Sequence, residues 1–481
     1  MDLTNNISAE ELLKNKSKIK KIFFYRICGT GMGACACLLK EAGYDVEGAD
    51  MSFAPPMSTY LESTGIPLYK LSEVNDKFLQ KYDLIIVGNS VPRVSEQATL
   101  IEKCGVAFTS FPTVLGTLVL SNQNVIGVAG THGKTTTTYL ITQMLENLGK
   151  KPGYFIGGII DDRPPSRLGD GSYFAIESDE YDSAYFQKFS KFRQYEIDHL
   201  ILTSLEFDHA DIFNSVEDIE KEFIAAIPKI NGSFVLNNDY PSCLKLYEQF
   251  SKTKKVPWYL YGNTSPLGPK IVTENQEGTI FELNFEGKPV SFKTNLIGKH
   301  NVLNVTACIL FCLNEGFSIK QVQAAVKKLN MVKRRQEVKG KYKGAIVVDD
   351  FAHHPRAVSV TIDSIKTKFP DKKIFVVLEP MSATARSNVF QDEFAESLLL
   401  ANKVIIAKPS IATTAKDKKD LDTIKIVEML KTKKIPSANV DNLNQLRLMI
   451  DQMISTDDVL LILSNRTCLG LWESNFINEI H

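Results

Sequence analysis

The chain has 481 residues, 44% of them hydrophobic and 23% charged, with 56 basic and 56 acidic residues balancing to zero net charge. That composition is globular, its length suits about three domains, and the even charge argues against nucleic acid or a membrane surface as the main partner. Eight cysteines without a C-x-x-C spacing argue against a disulfide framework or a cysteine metal site and suit a reducing cytoplasm.

In chain order, residues 1–20 read as a polar, lysine-rich extension, either a short helix or a frayed end. Lys14 to Lys21 followed by an apolar run imitates the front of a signal peptide, but Arg26 and Gly29, Gly31 and Gly33 interrupt it. No apolar run reaches membrane length, so the chain is expected to be cytoplasmic.

Residues 21–122 read as a first domain. Ile22 to Ile27 is a predicted strand, Cys28 to Gly33 a turn, Ala34 to Ala42 a helix, and Asp45 to Asp50 a second strand ending in an acid. This β–α–β opening has the order of a dinucleotide-type fold, with Gly29, Thr30, Gly31 and Met32 in the turn and Asp50 about 20 residues on. A further strand from Asp83 delivers Asn89 and Ser90 at its carboxyl end, the usual place for a ligand loop. The glycine spacing does not meet G-x-G-x-x-G, so hydride chemistry with a nicotinamide cofactor is the alternative weighed from another class.

Residues 123–333 read as a central domain. Its start, Val125 to Thr138, passes from a β-branched strand through Gly130-Thr131-His132-Gly133 into a helix opening with Lys134, Thr135 and Thr136. Such a loop turns backbone amides and a helix N-terminus toward phosphate, with a lysine for the outer phosphates and a hydroxyl for Mg²⁺. Val128 stands where the first glycine of G-x-x-x-x-G-K-[ST] belongs, and a ligand-free helix start is the plain alternative. Tyr154 to Gly158 reads as a strand and glycine turn. A strand from Tyr173 delivers Glu177, either a hard oxygen ligand for Mg²⁺ or part of a solvated acidic turn. The strand from His199 leads to Asp208, His209 and Asp211, an acid–histidine–acid cluster in a chain with only seven histidines.

Residues 334–481 read as a third domain, opening within the basic junction Lys333-Arg334-Arg335-Gln336-Glu337. Strands from Ala345, Ile374, Lys403 and Asp458 alternate with helical stretches, as a parallel α/β sheet requires. The first ends in Asp349 and Asp350, followed by His353-His354-Pro355. Arg386 follows the second and suits a substrate carboxylate by charge and position.

Taken in order, G-T-H-G-K-T-T-T, E-S-D-E-Y-D, L-E-F-D-H-A-D-I-F, G-K-H-N-V-L-N, R-R-Q-E and D-D-F-A-H-H-P resemble the motifs of the Mur ligases over nearly the whole chain. The resemblance implies three α/β domains: a Rossmann-like UDP-sugar domain, a P-loop-type ATPase centre and a Rossmann-like acceptor domain. It implies an ATP- and Mg²⁺-dependent ligase that activates UDP-N-acetylmuramate as an acyl phosphate for attack by an amine, with three domains closing over the site. By the same resemblance Glu177 and His209 join Thr135 at the metal, Asn304 lies near adenine, Arg335 contacts phosphate, Asp350 holds the ribose, and His353 lies near the phosphates. Cys28-Gly-Thr-Gly-Met-Gly33, Asp50 and Pro55 to Thr59 resemble the UDP-sugar domain, and Gly29 to Met32, Asp50, Asn89 and Ser90 are its expected contacts. Arg26, Cys28, Met381, Arg466 and Thr467 depart from the family pattern, and Lys221, the nearest candidate for a carbamylated lysine, stays outside the set. The local wording resembles the branch that adds L-alanyl-γ-D-glutamyl-meso-diaminopimelate, in peptidoglycan recycling, more than the branch that adds L-alanine. A monomer acting on small-molecule substrates is expected.

Overall fold

The structure is a computed structural model and describes residues 1–53, 57–157, 163–415 and 417–481. Pro55, Pro56 and Gly158, singled out in the sequence, lie outside the described residues. The chain packs as two compact units, one of Met1–Leu205, Ile219–Leu260 and Leu310–Phe317, the other of Glu206–Asp218, Tyr261–Ile309 and Ser318–His481. No helix among the described residues is long and apolar enough to cross a membrane.

The first unit carries two parallel-type sheets. In the first, β1 (Lys21–Tyr25), β2 (Asp45–Asp50), β3 (Leu68–Lys70), β4 (Leu84–Val87) and β5 (Phe108–Ser110) lie in the order β3-β2-β1-β4-β5, all parallel. Chain order reverses beside β1, so the loops after β1 and β4 flank the crevice where open α/β sheets bind ligands. The expected turn is shorter than the sequence suggests. The helix spans Thr30–Glu41 with Gly29 at its N-cap, which puts Thr30, Gly31 and Met32 on the first helical turn. The reason is packing: a Cβ on Gly33 would lie 2.4 Å from the Met57 sulfur, and one on Gly31 would lie 3.3 Å from the Phe111 ring. Residues 1–20 are not frayed. Ser8 caps the Ala9–Lys14 helix, Ile7 N–H donates to Phe108 O at 3.0 Å, and Leu12 is fully buried.

The second sheet of this unit contains β6 (Asn124–Ala129), β7 (Gly153–Phe155), β8 (Ser166–Arg167), β9 (Tyr173–Glu177), β12 (His199–Leu202), β13 (Phe234–Asn237) and β14 (Trp258–Tyr261), in the order β14-β13-β12-β6-β9-β7-β8. Neighbours are parallel around β6, whereas β8 closes the edge antiparallel to β7. Between β9 and β12 runs a hairpin the sequence reading missed, β10 (Asp182–Ala184) and β11 (Gln187–Ser190). Its tip is buried in the first sheet's core through Tyr185, with Phe186 packed edge-on against Phe108.

In the second unit, β15 (Lys270–Asn275), β16 (Gly278–Phe285) and β17 (Lys288–Thr294) form an antiparallel meander. The larger sheet holds β18 (Glu337–Tyr342), β19 (Ala345–Asp350), β20 (Lys373–Glu379), β21 (Lys403–Ala407), β22 (Ser437–Val440) and β23 (Asp458–Ser464), in the order β18-β19-β23-β20-β21-β22. It is parallel except for β18, an antiparallel edge strand starting inside the basic junction. The junction is fastened by alternate residues. Arg334 donates to Asp349 at 3.0 Å and to the Ser464 and Arg466 carbonyls, each at 2.7 Å. Gln336 donates from its backbone to Asp350 at 2.8 Å, and its side chain reaches His300 and Ser364 at 3.3 and 3.1 Å.

Two expectations follow. Phe174 is fully buried on β9, so Phe174→Ala should cost about 3–5 kcal/mol and lower the midpoint of thermal unfolding; an unchanged midpoint would contradict its place in the core. Burial, with Arg335 adding to it, pushes the His300 imidazole down to about 4, so the folded protein binds this proton less readily than the unfolded chain. Stability should fall as the pH drops from about 6.5 toward 4, and His300→Gln should flatten that part of the stability–pH curve.

Candidate active site

β6 ends at Ala129 and the Lys134–Asn147 helix begins after a four-residue loop, 130–133, whose shape small residues allow. Gly130 has φ +131° and Gly133 φ +83°, and a Cβ on Gly130 would lie 2.5 Å from Thr203 Oγ1 and 2.7 Å from Ser204 O. Thr203 and Ser204, at the tip of β12, brace this loop. Thr203 Oγ1 donates to Ala129 O at 3.0 Å, and Ser204 Oγ accepts from His132 N–H at 2.7 Å. Sequence reasoning passed over both, although a hydroxyl pair directly after an apolar strand is a visible signal. Thr131 and His132 lie on the half-buried face of the loop, and Thr136 is buried in the first helical turn.

Lys134 Nζ donates to Gly130 O at 2.5 Å and pairs with Glu180 at 2.9 Å. Burial works against this ammonium, but Glu180 and Asp179 outweigh it and hold its pKa above the lysine range. Glu180 also accepts from Gly130 N–H at 3.2 Å, a role the sequence reading did not assign. Glu177 stands at the tip of β9 as expected. Its carboxylate accepts from Thr135 Oγ1 at 2.9 Å and from Gly157 N–H at 2.8 Å. Burial raises the Glu177 carboxyl, with Lys134 pulling the other way. Three carboxylates, Glu180, Asp179 and Glu177, act on one ammonium here, and the Thr135 hydroxyl stands beside Glu177. That oxygen-rich, under-neutralised donor set fits a hard divalent cation.

In the first sheet, Asp50 at the end of β2 has partners within the protein. It accepts from Cys28 N–H at 2.8 Å and Met51 N–H at 2.7 Å, and pairs with Arg26 at 3.4 Å, so it braces the turn holding Gly29 and Thr30. Asn89 and Ser90 are exposed after β4, and Met32 is buried.

The second unit gathers the remaining predicted residues. β12 ends at Leu202, so Asp208 and His209 lie on the following loop and not at a strand tip. The reason is that the hydroxyl pair at Thr203 and Ser204 turns to the Gly130 loop, and Glu206–Asp218 packs with the second unit. His209 has φ +56°, its N–H donates to Asp208 at 2.7 Å, and Ala210 N–H donates to Thr384 at 3.0 Å. Burial opposes ionisation of Asp208, but His209 and His353 outweigh it and hold the carboxyl well below its usual range. His353 Nδ1 lies 2.9 Å from Phe351 O, which can only accept, so this nitrogen carries the proton. Among the described residues, no three His, Cys, Asp or Glu side chains form a ready metal cluster; Thr135 and Glu177 meet in the first unit, and His209 belongs to the second.

Asp350 is buried and accepts from Gln336 and Ala352 N–H groups, each at 2.8 Å; burial raises its carboxyl, with Arg335 opposing. Arg335 lies over the Phe351 ring at 4.9 Å. Asn304 is buried on the Lys299–Asn314 helix. Asn301 is not the N-cap: Gly298 O takes the first helical N–H groups, and the Asn301 amide turns back to Ile297 O at 2.7 Å. Arg386 is 7% exposed; its Nη2 reaches Thr414 at 3.4 Å, and its Nε has no hydrogen-bond partner.

Comparison with known proteins adds to this geometry. Family models described as "Mur ligase family, catalytic domain", "Mur ligase middle domain" and "Mur ligase, glutamate ligase domain" match residues 21–122, 128–312 and 334–466. The chain is 36% identical over 398 residues to the UDP-N-acetylmuramate–L-alanyl-γ-D-glutamyl-meso-2,6-diaminoheptandioate ligase of Haemophilus influenzae, covering 81% of this chain and 86% of that one. It is 31% identical to the UDP-N-acetylmuramate–L-alanine ligase of Lactobacillus delbrueckii, covering 81% and 84%. The crystal structure of a murein peptide ligase from Psychrobacter arcticus superposes with a TM-score of 0.68 at 29% identity, covering 94% of this chain and 97% of that one. With three α/β sheets, a glycine loop braced from the neighbouring strand and matches across nearly its whole length, this chain belongs to the Mur ligase family.

Proposed function

We propose that this enzyme is an ATP-dependent ligase joining UDP-N-acetylmuramate to L-alanyl-γ-D-glutamyl-meso-diaminopimelate in the recycling of cell-wall peptide. The observation that carries the reading is the loop of residues 130–136, where Lys134, the Thr135 hydroxyl and Glu177 converge at the tips of β6 and β9. The acceptor follows the Haemophilus influenzae relative, more similar to this chain than the alanine ligase of Lactobacillus delbrueckii. Residues 21–122, 123–333 and 334–481 serve in this reading as sugar, nucleotide and acceptor domains.

A carboxylate resists attack by an amine because its carbon is a poor electrophile. Transfer of the terminal phosphoryl group of ATP to the lactyl carboxylate gives an acyl phosphate. The amine then adds to the carbonyl, and inorganic phosphate leaves from the tetrahedral intermediate. The phosphoryl step asks the protein for position and positive charge more than for covalent chemistry. Lys134 supplies that charge, and the amides of Gly130 to Thr136 hold phosphate oxygens. Thr135, Glu177 and His209 would hold Mg²⁺, which neutralises phosphate charge when bound. Arg335 adds a cation, Asp350 binds the ribose hydroxyls and Asn304 the adenine. His353, whose Nδ1 is held on Phe351 O, serves as the proton or phosphate partner. Gly29 to Met32, Asp50, Asn89 and Ser90 frame the UDP-sugar crevice, and Arg386 pairs with an acceptor carboxylate. Because its substrates are soluble UDP-linked and peptide precursors, the enzyme would act in the cytoplasm, as a monomer.

Phosphate release with UDP-N-acetylmuramate and ATP–Mg²⁺ tests the acceptor. The tripeptide should give a kcat/KM at least about tenfold above that of L-alanine, and the reverse order would assign the alanine reaction. Lys134→Ala should lower turnover by about a thousandfold or more while UDP-N-acetylmuramate binding stays within about twofold; retained turnover would remove the central assignment. Arg386→Ala should raise the KM for the tripeptide by about tenfold or more and leave that for ATP near its starting value; equal changes in both would detach Arg386 from the acceptor.

A further inference from the structure

Glu180 lies outside the family motif residues given a role above, yet it takes both of the loop's leading donors. Its Oε1 accepts from Gly130 N–H at 3.2 Å and its Oε2 from Lys134 Nζ at 2.9 Å. The side chain is 2% exposed, against 12% for Lys134. The backbone carrying it is fastened on both sides. Glu180 O accepts from Ser190 Oγ at 2.7 Å, and the hairpin that follows buries Tyr185 in the core of the first sheet. Any displacement of the carboxylate therefore falls on the side chain and not on the backbone between β9 and β10.

Phosphate oxygens and carboxylate oxygens seek the same donors, an amide and an ammonium, and at close range they repel each other. We propose that Glu180 sets the affinity of this loop for nucleotide: its carboxylate is an internal competitor for phosphate at Gly130 N–H and Lys134 Nζ. The inference rests on the reading of the loop as the ATP site. Nucleotide binding must break or share two charge-assisted hydrogen bonds, so part of the phosphate interaction is offset before any net affinity appears. The same competition favours release of ADP after the phosphoryl group has gone, because a carboxylate stands ready to reclaim the ammonium.

Neutralising Glu180 removes the competitor and leaves the buried ammonium short of a partner, and both effects favour phosphate. Titration calorimetry with ADP, with and without Mg²⁺, on the full chain and on E180Q, E180A and E180D tests this. E180Q and E180A should each bind ADP about tenfold more tightly in both conditions, and either alone suffices if the other fails to fold. E180D, which keeps the charge, should bind within about threefold of the unsubstituted protein. UDP-N-acetylmuramate should bind all four alike. A gain in affinity cannot come from partial unfolding, which only weakens binding. Unchanged or weaker ADP binding by the neutral variants overturns the proposal, and a loss seen only with Mg²⁺ would instead make Glu180 a cation ligand. If the unsubstituted protein binds no ADP, the nucleotide reading falls too; if it binds ADP and the neutral variants gain nothing, only this inference falls.

Discussion

The ammonium of Lys134 lies largely out of water, and a charge in that position has to be compensated on the spot. Glu180 does so at 2.9 Å, and the Gly130 carbonyl adds a second acceptor. Much of the neighbourhood follows from this pairing. It holds the lysine charged, ties the loop's first amide to the same carboxylate, and leaves Glu177 to face Thr135 with its own charge only partly matched. With Lys134 and Lys191 against Glu177, Asp179 and Glu180 the site is short of positive charge, which is what a divalent ion supplies, and rich in donors, which is what phosphate requires.

Close backbone approach makes this possible. Gly130 lies against Thr203 and Ser204 so closely that any side chain would strike the neighbouring strand, and those hydroxyls hold the loop's own polar groups. The first sheet uses glycine in the same way for another purpose. Gly31 and Gly33 let the Thr30–Glu41 helix press against Phe111 and Met57, and Asp50 steadies the turn before it. In the second unit a half-buried arginine does comparable work: Arg334 joins the junction to the carboxyl ends of β19 and β23, and Gln336 ties it to the start of the Lys299–Asn314 helix. Between them, Arg335 lies over the Phe351 ring and opposes the rise of the Asp350 carboxyl.

Much of the architecture was legible because local rules suffice for it. Apolar β-branched runs such as Val125 to Ala129, Ala345 to Val348 and Asp458 to Leu463 became strands, and the helix after Gly133 starts at Lys134 as its turn chemistry requires. Elements were missed where the pattern is weak. The β10–β11 hairpin is short and polar, the β15–β17 meander alternates without a strong apolar face, and β18 is an exposed edge strand in a charged sequence. Asparagine favours a helix N-cap, but at the Lys299–Asn314 helix Gly298 O takes the first helical N–H groups and Asn301 lies within the first turn.

Residue order alone predicts the three α/β sheets and a phosphate-type loop running into Lys134 and Thr135, with Glu177 at the end of a neighbouring strand, since periodicity, turn residues and strand-end placement are local properties. Tertiary structure alone decided which groups those residues meet. Strand order places β9 and β12 on either side of β6, and so brings Glu177, Glu180, Thr203 and Ser204 to one loop from positions remote along the chain. The path after Leu202 likewise carries Asp208 and His209 into the unit that holds His353. Partner choice of this kind depends on contacts between distant segments, and a linear pattern carries no record of them.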